Sequence, residues 1–474
     1  MSDDLHHLGA GEALARFEAR TLSPVELMRA VIERAEAVEP RINAFTDTFP
    51  ERALEQAARA EQRYARPRTR RRPLEGLPLA VKDESAIAGQ RTTQGSLPYR
   101  DAVASETSPC IERLLRAGAI VHARTATPEF SCAGVTHSRL HGVTRNPWSL
   151  DASPGGSSGG SGAALAAGST TLATGTDIWG SIRIPASCCG VVGFKPPYGR
   201  IPEEPPFNLD PYNHQGPMAR GVADCARMQN VMAGPHPADV ASLRPKLRIP
   251  ETLGDVAGWR VAWSMDLGFA AIDPEVVRNT QAALQVFRDL GCRVEEVEPG
   301  WGADTPTAAM GHLRHLFGTW VARELDAHGD RLTSYARAFA EESRAIRGED
   351  VLVAMEVAGA MYASLGPILE RHHVFVCPTT ALPALPAEHD PTTDAVRIAG
   401  TSVDPVLGWI LTYPFNMLSR CPVMSVPSGL ATSGVPTGIQ IVARPYDDVR
   451  VFRAAAAYER ALGGFPSLLG RPPL

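Results

Sequence analysis

The sequence contains very little lysine. Of its 47 basic residues only three are lysines, Lys82, Lys195 and Lys246, so arginine supplies almost every other positive charge. A lysine can lose its proton in a buried site, whereas an arginine keeps its charge. The three lysines are therefore the positions to examine for chemistry that needs an uncharged amine.

Patterns typical of metal sites and disulfide frameworks are also missing. The eight cysteines are scattered without a Cys-x-x-Cys pair, which predicts reduced core residues in a cytoplasmic protein. There is no His-Glu-x-x-His motif and no compact cluster of histidine, cysteine and carboxylate residues. We therefore predict neither a bound metal nor a cofactor.

Charge and hydropathy exclude two classes of partner. A net charge of −5 and an isoelectric point near 6.2 give no general attraction for nucleic acid or an anionic membrane. The basic run over residues 66–73 is short and proline-bounded, which predicts an exposed loop. No window holds eighteen uninterrupted apolar residues, and the N-terminus has no signal-peptide pattern. We expect no nucleic acid and no membrane among its partners.

The chain of 474 residues is 44% hydrophobic and 21% charged, as in ordinary globular proteins. Apolar periodicity predicts α/β alternation without an internal repeat or a clear linker. The predicted strands cover residues 77–82, 119–124, 259–263, 293–297, 374–378, 423–426 and 438–443. The predicted helices lie within residues 1–65 and over 107–117, 274–290, 305–370 and 449–462.

Two segments rich in glycine and serine, residues 153–162 and 175–183, are the most unusual local sequences. This composition also occurs in flexible linkers. Here, however, the segments flank the small apolar run 163–168 and lead into the apolar run 191–196, which predicts a place in the core. Glycine-rich turns let backbone N–H groups converge on an oxyanion, so acyl transfer is the chemistry they favour. No histidine lies near either segment in sequence, although remote histidines stay open as bases.

Three motifs together resemble the amidase signature family. They are Pro-Leu-Ala-Val-Lys82-Asp, Gly-Gly-Ser157-Ser158-Gly-Gly-Ser, and Gly-Thr-Asp-Ile-x-Gly-Ser181-Ile-Arg-x-Pro. Similar segments at residues 144–148, 190–196, 422–429 and 435–442 extend the resemblance over nearly the whole chain. The resemblance implies one large α/β domain with a central mixed, twisted sheet covered by helices on both faces. Within it we expect a helical segment (1–65), the signature core (70–225), a variable region (226–370) and a C-terminal part that completes the pocket (371–474).

The family resemblance implies catalytic roles. Ser181 would attack the carbonyl carbon, Ser157 would relay protons after a non-proline cis peptide bond, and Lys82 would be the base. Backbone N–H groups of Ser181 and three further residues would form the oxyanion hole; the three are Ile178, Trp179 and Gly180. Side chains expected to support this geometry are those of Ser158, Asp177 and Arg183.

Lys82 can accept a proton only when it is uncharged, so its pKa must be lowered. Burial without a close carboxylate produces that direction of change. We therefore predict that neither Asp83 nor Asp177 pairs tightly with Lys82. Lys195 resembles a structural family position, and Lys246 is predicted to lie at the surface.

The chain departs from the family pattern at three places. Trp179 stands where most members have glycine, and its ring either narrows the acyl pocket or packs against the core. The segments 123–130 and 415–422 also differ from the common form. Residues of these segments are expected to border the pocket: Phe130, Met417 and Arg420.

The sequence thus predicts a serine hydrolase that cleaves the C–N bond of an amide or carbamate with a bulky or aryl substituent, with side activity on esters. Its partners would be this small molecule and water, and the family is compatible with a homodimer. One alternative is an amidotransferase A-type subunit that uses glutamine inside a complex. Another is an α/β-hydrolase with Ser157 in a Gly-x-Ser-x-Gly elbow, although the preceding residues 146–154 are too polar for a strand.

Overall fold

The computed structural model describes residues 4–66 and 70–474, so the middle of the basic run lies outside the described residues. The helices are α1 (Ala10–Ala19), α2 (Pro24–Ile42), α3 (Pro50–Ala65), α4 (Pro109–Arg116), α5 (Gly159–Ala167), α6 (Arg183–Cys189), α7 (Val222–Met232), α8 (Pro274–Asp289), α9 (Asp304–Leu313), α10 (Thr319–His328), α11 (Ser334–Ser343), α12 (Gly348–Arg371), α13 (Pro414–Met417), α14 (Asp448–Ala461) and α15 (Phe465–Leu469).

The strands are β1 (Phe45–Thr48), β2 (Pro78–Lys82), β3 (Ile120–Thr125), β4 (His137–Ser138), β5 (Gly142–Val143), β6 (Leu172–Thr176), β7 (Val192–Lys195), β8 (Gln215–Ala219), β9 (Arg260–Trp263), β10 (Arg293–Glu296), β11 (Val374–Pro378), β12 (Val396–Ile398), β13 (Thr401–Val403), β14 (Val423–Leu430) and β15 (Pro436–Val442). Eleven of them form one sheet in the order β1-β3-β2-β6-β8-β7-β14-β15-β11-β9-β10. Strands β3, β2 and β6 run parallel, as do β11, β9 and β10, and the pairs between these two blocks are antiparallel.

Apolar side chains cover both faces of the sheet. In β11, Val374 and Val376 belong to one hydrophobic cluster, whereas Phe375 and Cys377 belong to another. Successive side chains of a strand point to opposite faces, so the two clusters lie on opposite sides of the sheet. This confirms the predicted single domain with a mixed sheet between layers of helices.

The predicted elements agree with the structure except in two regions. The N-terminal segment contains the short edge strand β1, which pairs with β3. The predicted helix over 305–370 is divided into α9 to α12 by a π-helical turn at Arg314–Gly318 and by turns near residues 329–333 and 344–347. Apolar periodicity continues across such short turns, so the pattern alone did not separate the helices. All eight cysteines are buried and unpaired.

Helix α12 qualifies by length and composition as a membrane-crossing helix, with a mean hydropathy of 1.5. Such a result for one helix is weak, because core helices of soluble proteins pass the same test. The expectation that no segment spans a membrane therefore stays a prediction.

The parallel block of the sheet brings together the motifs that were predicted to be catalytic. Strands β2 and β6 are neighbours, and they end at Lys82 and Thr176. Because carboxyl ends of parallel strands meet at one edge of a sheet, these two side chains lie together. Ser157 and Ser181 stand just before α5 and α6, so all four residues converge on one edge of the sheet.

Candidate active site

Lys82 is fully buried and surrounded by three oxygen acceptors. Its Nζ donates to Ser157 Oγ at 2.6 Å and to Thr176 Oγ1 at 2.6 Å. The third acceptor is Glu84 Oε2 at 2.7 Å, and this oxygen also accepts from Thr176 Oγ1 and from Ser131 Oγ. The lysine amine therefore contacts two hydroxyl groups and one carboxylate.

The two serine segments lie against each other. The Gly156–Ser157 peptide bond is cis, as the family resemblance implied. Ser158 N–H donates to the Ser181 carbonyl at 3.1 Å, which holds the segments together. The Ser157 hydroxyl contacts Lys82, but the Ser181 hydroxyl has no hydrogen-bond partner among residues 4–66 and 70–474. The structure thus brings Lys82 and Ser157 into contact, whereas the Ser181 hydroxyl makes no hydrogen bond to Ser157.

Four consecutive backbone N–H groups, those of residues 178–181, donate to no acceptor in the described part of the chain. Gly180 has φ +128°, a region that side chains rarely adopt, and a Cβ there would overlap the Thr412 side chain. The Thr412 hydroxyl instead donates to the Trp179 carbonyl, at 2.5 Å. This turn therefore presents unpaired N–H groups next to the Ser181 side chain, an arrangement that suits an oxyanion.

An ion pair behind this turn fixes its shape. Arg183 donates through Nε and one terminal nitrogen to both carboxylate oxygens of Asp177, each at 2.9 Å. Asn416 Nδ2 also donates to Asp177, at 2.8 Å. Burial opposes ionisation of this carboxylate, but the Arg183 charge and the hydrogen bonds lower the pKa of Asp177 to about 2. Ser158 completes the support, because its hydroxyl accepts from Thr176 N–H at 3.3 Å.

The electrostatics of Lys82 differ from the sequence expectation. Asp83 binds Thr93 and Asp177 binds Arg183, so neither aspartate pairs with Lys82. The assumption that no carboxylate would be close was wrong, because Glu84 contacts the amine. Burial lowers the pKa of Lys82 and outweighs the Glu84 carboxylate, which acts in the opposite direction. Burial acts to raise the pKa of Glu84, but the Lys82 charge and three hydrogen bonds hold it below its usual value.

A small cavity adjoins this hydrogen-bond network. Its wall is polar at one end and apolar at the other, and it is formed by Glu84, Ser131, Ser157, Thr176, Ile178, Phe207, Asn213 and Phe317. Trp320 packs against Phe207 and stacks on Phe317, with ring centroids 5.8 and 6.1 Å apart. Phe130 packs edge-on against Trp320, so it stands behind the cavity wall. The far end of the cavity is therefore aromatic.

The other predicted pocket residues lie elsewhere. Trp179 is 6% exposed and packs edge-on against Phe339, so its ring belongs to the core and not to the cavity wall. Met417 is buried in the same hydrophobic cluster, and Arg420 is exposed. The structure thus places neither Met417 nor Arg420 at this cavity.

Sequence reasoning missed several residues of the site. Glu84 lies in the turn that follows β2, two residues after Lys82, so strand alternation gave no signal for its contact with Lys82. Thr176 ends the neighbouring strand and could be found only with the strand order known. Phe207, Asn213 and Phe317 belong to segments without a motif, so only the folded chain brings them to the cavity.

The remaining lysines and one possible metal site have other contacts. Lys195 is buried and donates to backbone carbonyls, and Lys246 is exposed. One group that could hold a metal ion lies at the N-terminus; its possible ligand atoms lie within 4.8 Å of one another, on Asp4, His6 and His7. Asp4 also pairs with Arg471 and His6, so its carboxylate already has partners.

The geometry can be compared with known proteins. The family model for Amidase matches residues 26–452. The chain belongs to the amidase family. An acylamidase from Rhodococcus erythropolis is 37% identical over 469 residues, with 96% of each chain covered. The A-type subunit of the glutamyl-tRNA(Gln) amidotransferase from Geobacter metallireducens is 31% identical, covering 97% of this chain and 98% of that protein.

A solved structure supports the same assignment. A bacterial aryl acylamidase of the amidase signature family superposes on this amidase with a TM-score of 0.91 and 28% identity, covering 99% of both chains. The α/β-hydrolase alternative is wrong, because no strand leads into Ser157 and the sheet has the amidase signature architecture. The elbow of that fold needs a strand immediately before its nucleophile.

Proposed function

We propose that this amidase hydrolyses the C–N bond of amides through an acyl-enzyme on Ser181. The observation that carries the proposal is the juxtaposition of the Lys82–Ser157 hydrogen bond with four unpaired N–H groups at Ser181. The Lys82–Ser157 pair supplies a base with a proton path, and the N–H groups stabilise the negative charge that develops on the carbonyl oxygen. The acylamidase relative and the aryl acylamidase structure support the same chemistry.

The reaction follows from these contacts. The Ser181 hydroxyl turns towards Ser157 when substrate binds, and it gives up its proton through Ser157 Oγ to uncharged Lys82 Nζ. The Ser181 oxygen then bonds to the carbonyl carbon, and the N–H groups of residues 178–181 hold the oxyanion. Collapse breaks the C–N bond, and the proton returns through Ser157 to the leaving nitrogen. Water attacks the acyl-enzyme by the same proton path and releases the acid.

Glu84 has a positioning role in this proposal. Its Oε2 accepts from Lys82, Thr176 and Ser131 and so holds the amine against Ser157. After Lys82 takes up a proton, the carboxylate stabilises the resulting ammonium ion. Glu84 and burial therefore act in opposite directions: the carboxylate raises the pKa of Lys82, and burial lowers it.

The aromatic end of the cavity supports an aryl substituent on the substrate. Phe207 and Phe317 would pack against a ring, and Trp320 and Phe130 support them from behind. Aryl carbamates pass through the same tetrahedral intermediate and are proposed as second substrates, with esters as side substrates. Water and this small molecule are the reactants, and the cytoplasmic location and the homodimer stay predictions from the sequence.

The amidotransferase alternative is less well supported. Free glutamine carries a carboxylate, which proteins commonly bind with arginine or lysine. The described residues that line the cavity include no arginine or lysine, and Lys82 is buried with three partners already. Glutaminase activity that depends on co-purifying partner chains would favour the alternative over hydrolysis by the isolated chain.

The experiment compares matched chromogenic anilides, urethanes and esters with wild type and Ser181→Ala. We expect the isolated chain to cleave aryl amides, and the variant to lose at least about 10⁴-fold in kcat, as for other serine nucleophiles. Ser158→Ala is the matched control, with its hydroxyl in a supporting place, and should lose far less. Full activity of Ser181→Ala would overturn the proposal.

A further inference from the structure

A second pocket, just large enough for one small polar group, lies next to the active-site cavity, and Asn213 lines both. We call it the Glu203 pocket; its polar walls are Glu203, Asn208, Asn213, His214, Gln215 and Asp239. Glu203 also acts electrostatically on Lys82, which places the pocket near the reacting groups. The mechanism proposed above uses none of these side chains.

The side-chain amides of this pocket turn their donors towards carboxylates and leave their oxygens unpaired. Gln215 Nε2 donates to Glu203 Oε1 at 2.9 Å, and Asn208 Nδ2 donates to Asp239 Oδ1 at 3.2 Å. Gln215 Oε1 and Asn208 Oδ1 are buried and have no partner among the described residues. The two residues are 5% and 6% exposed. Buried polar atoms are rarely left without a partner, so both oxygens require a donor from outside the chain.

Glu203 adds a carboxyl group that has no cationic partner in the described part of the chain. Asn213 Nδ2 donates to its second oxygen at 3.3 Å, but no cationic side chain of the described residues pairs with it. Burial raises the pKa of Glu203 to about 8, with smaller contributions from Glu204 and Glu84. A partly buried carboxylate with a raised pKa either takes up a proton or binds a cation.

We propose that the Glu203 pocket binds a primary ammonium group carried by the amine part of the substrate. An –NH₃⁺ group has three N–H donors and one positive charge, and the pocket offers the Glu203 carboxylate and two unpaired amide oxygens. The preferred substrates are then amides of diamines, with one nitrogen in the scissile bond and the other as a free ammonium. This inference rests on the proposed amide hydrolysis and specifies its substrate class.

The test uses the full chain with acetanilides that carry an aminomethyl, aminoethyl or aminopropyl group in the para position. Each is paired with the neutral alkyl analogue of equal length. At pH 7 we expect one ammonium member to exceed its neutral partner about tenfold in kcat/KM, the effect of a charge-assisted hydrogen bond. Glu203→Gln should reduce that ratio to about one. Glu204→Gln, at the neighbouring half-buried position outside the pocket, should keep it.

The readout is a ratio, so a general loss of activity in Glu203→Gln does not imitate the predicted result. Equal kcat/KM within every pair in wild type, or a ratio that survives Glu203→Gln, would overturn the pocket and leave amide hydrolysis intact. If no anilide is cleaved, the proposed function fails and the pocket assignment fails with it. Ammonium chloride should compete with the ammonium substrate; equal competition by potassium chloride would make the pocket a metal-cation site and overturn the proposal.

Discussion

Two lysines are fully buried in this protein, and their surroundings differ in one respect. Lys82 donates to side chains that can exchange protons or carry charge, those of Ser157, Thr176 and Glu84. Lys195 donates to backbone carbonyls, of which the Cys421 carbonyl is nearest at 3.0 Å. Burial lowers the pKa of both, and that of Lys195 falls to about 7.

In the proposed mechanism, burial alone does not make a lysine a base. A carbonyl oxygen accepts a hydrogen bond but has no proton to give, so Lys195 has nothing to deprotonate except its histidine neighbour. Lys82 contacts a hydroxyl that leads towards Ser181. Whether a buried lysine can act as a base therefore depends on the group that accepts its hydrogen bond. Lys195 is expected to stabilise the fold.

The difference between the two lysines is tested most strongly by making the same substitution at both. Lys82→Met should lower kcat by about 10³-fold or more, because proton transfer is lost. Lys195→Met should change kcat/KM less than about tenfold while lowering the free energy of unfolding by about 1–3 kcal/mol, since it leaves buried carbonyls unpaired. Steady-state kinetics and urea unfolding measure the two effects.

Lys82→Arg supplies the control for charge. Arginine keeps its proton, so this variant should be as inactive as Lys82→Met although it preserves a cation. A Lys195→Met protein with native stability and a 10³-fold loss of kcat would remove the distinction between the two lysines.

A smaller effect is expected at the oxyanion turn. Gly180→Ala forces a side chain into an unfavourable φ and against Thr412, which displaces the N–H groups of the turn. We expect kcat to fall about 10²–10³-fold, the magnitude seen when one oxyanion donor is lost. Gly400→Ala is the matched control, because Gly400 has φ +84° but open space around its Cβ position. Equal kinetic effects in the two variants would argue against this function of the turn.

The smallest effect is a displacement of the pH profile. The Glu84 carboxylate raises the pKa of Lys82, so Glu84→Gln removes that opposition and the pKa falls further. Activity requires the uncharged amine and therefore rises with pH through this pKa. The acid limb of kcat/KM should move to lower pH in Glu84→Gln, as measured with a substrate that does not titrate. A limb that moves to higher pH would show that Glu84 does not act on Lys82 in this way.

The candidate residues at the site could be named from the sequence because their motifs are local. Lys82 ends an apolar run of strand length, and Ser157 and Ser181 lie in glycine-rich motifs that resemble a known family. Their contact, in contrast, depends on the fold, because Lys82 and Ser157 are 75 residues apart in sequence. The same local patterns indicate one helix over residues 305–370 and miss the π-helical turn within it.

The substrate side of the site could not be predicted in this way. Phe207 and Phe317 are far apart in sequence and meet at a ring-centroid distance of 5.6 Å only in the folded chain. The sequence leaves Trp179 undecided between pocket and core, and Phe339, far away in sequence, determines that it packs in the core. Contacts of this kind depend on how the helices pack over the sheet, which no motif reports.

The most direct test of the relay is to trap its intermediate. Wild type is mixed with an aryl N,N-dimethylcarbamate, whose carbamoyl-enzyme hydrolyses slowly, and quenched in acid. Ser157 and Ser181 share the tryptic peptide 146–183, so fragment-ion sequencing is needed to locate the added mass. We expect the carbamoyl group on Ser181, formed far more slowly in Lys82→Met; modification of Ser157 would contradict the proposed roles of the two serines.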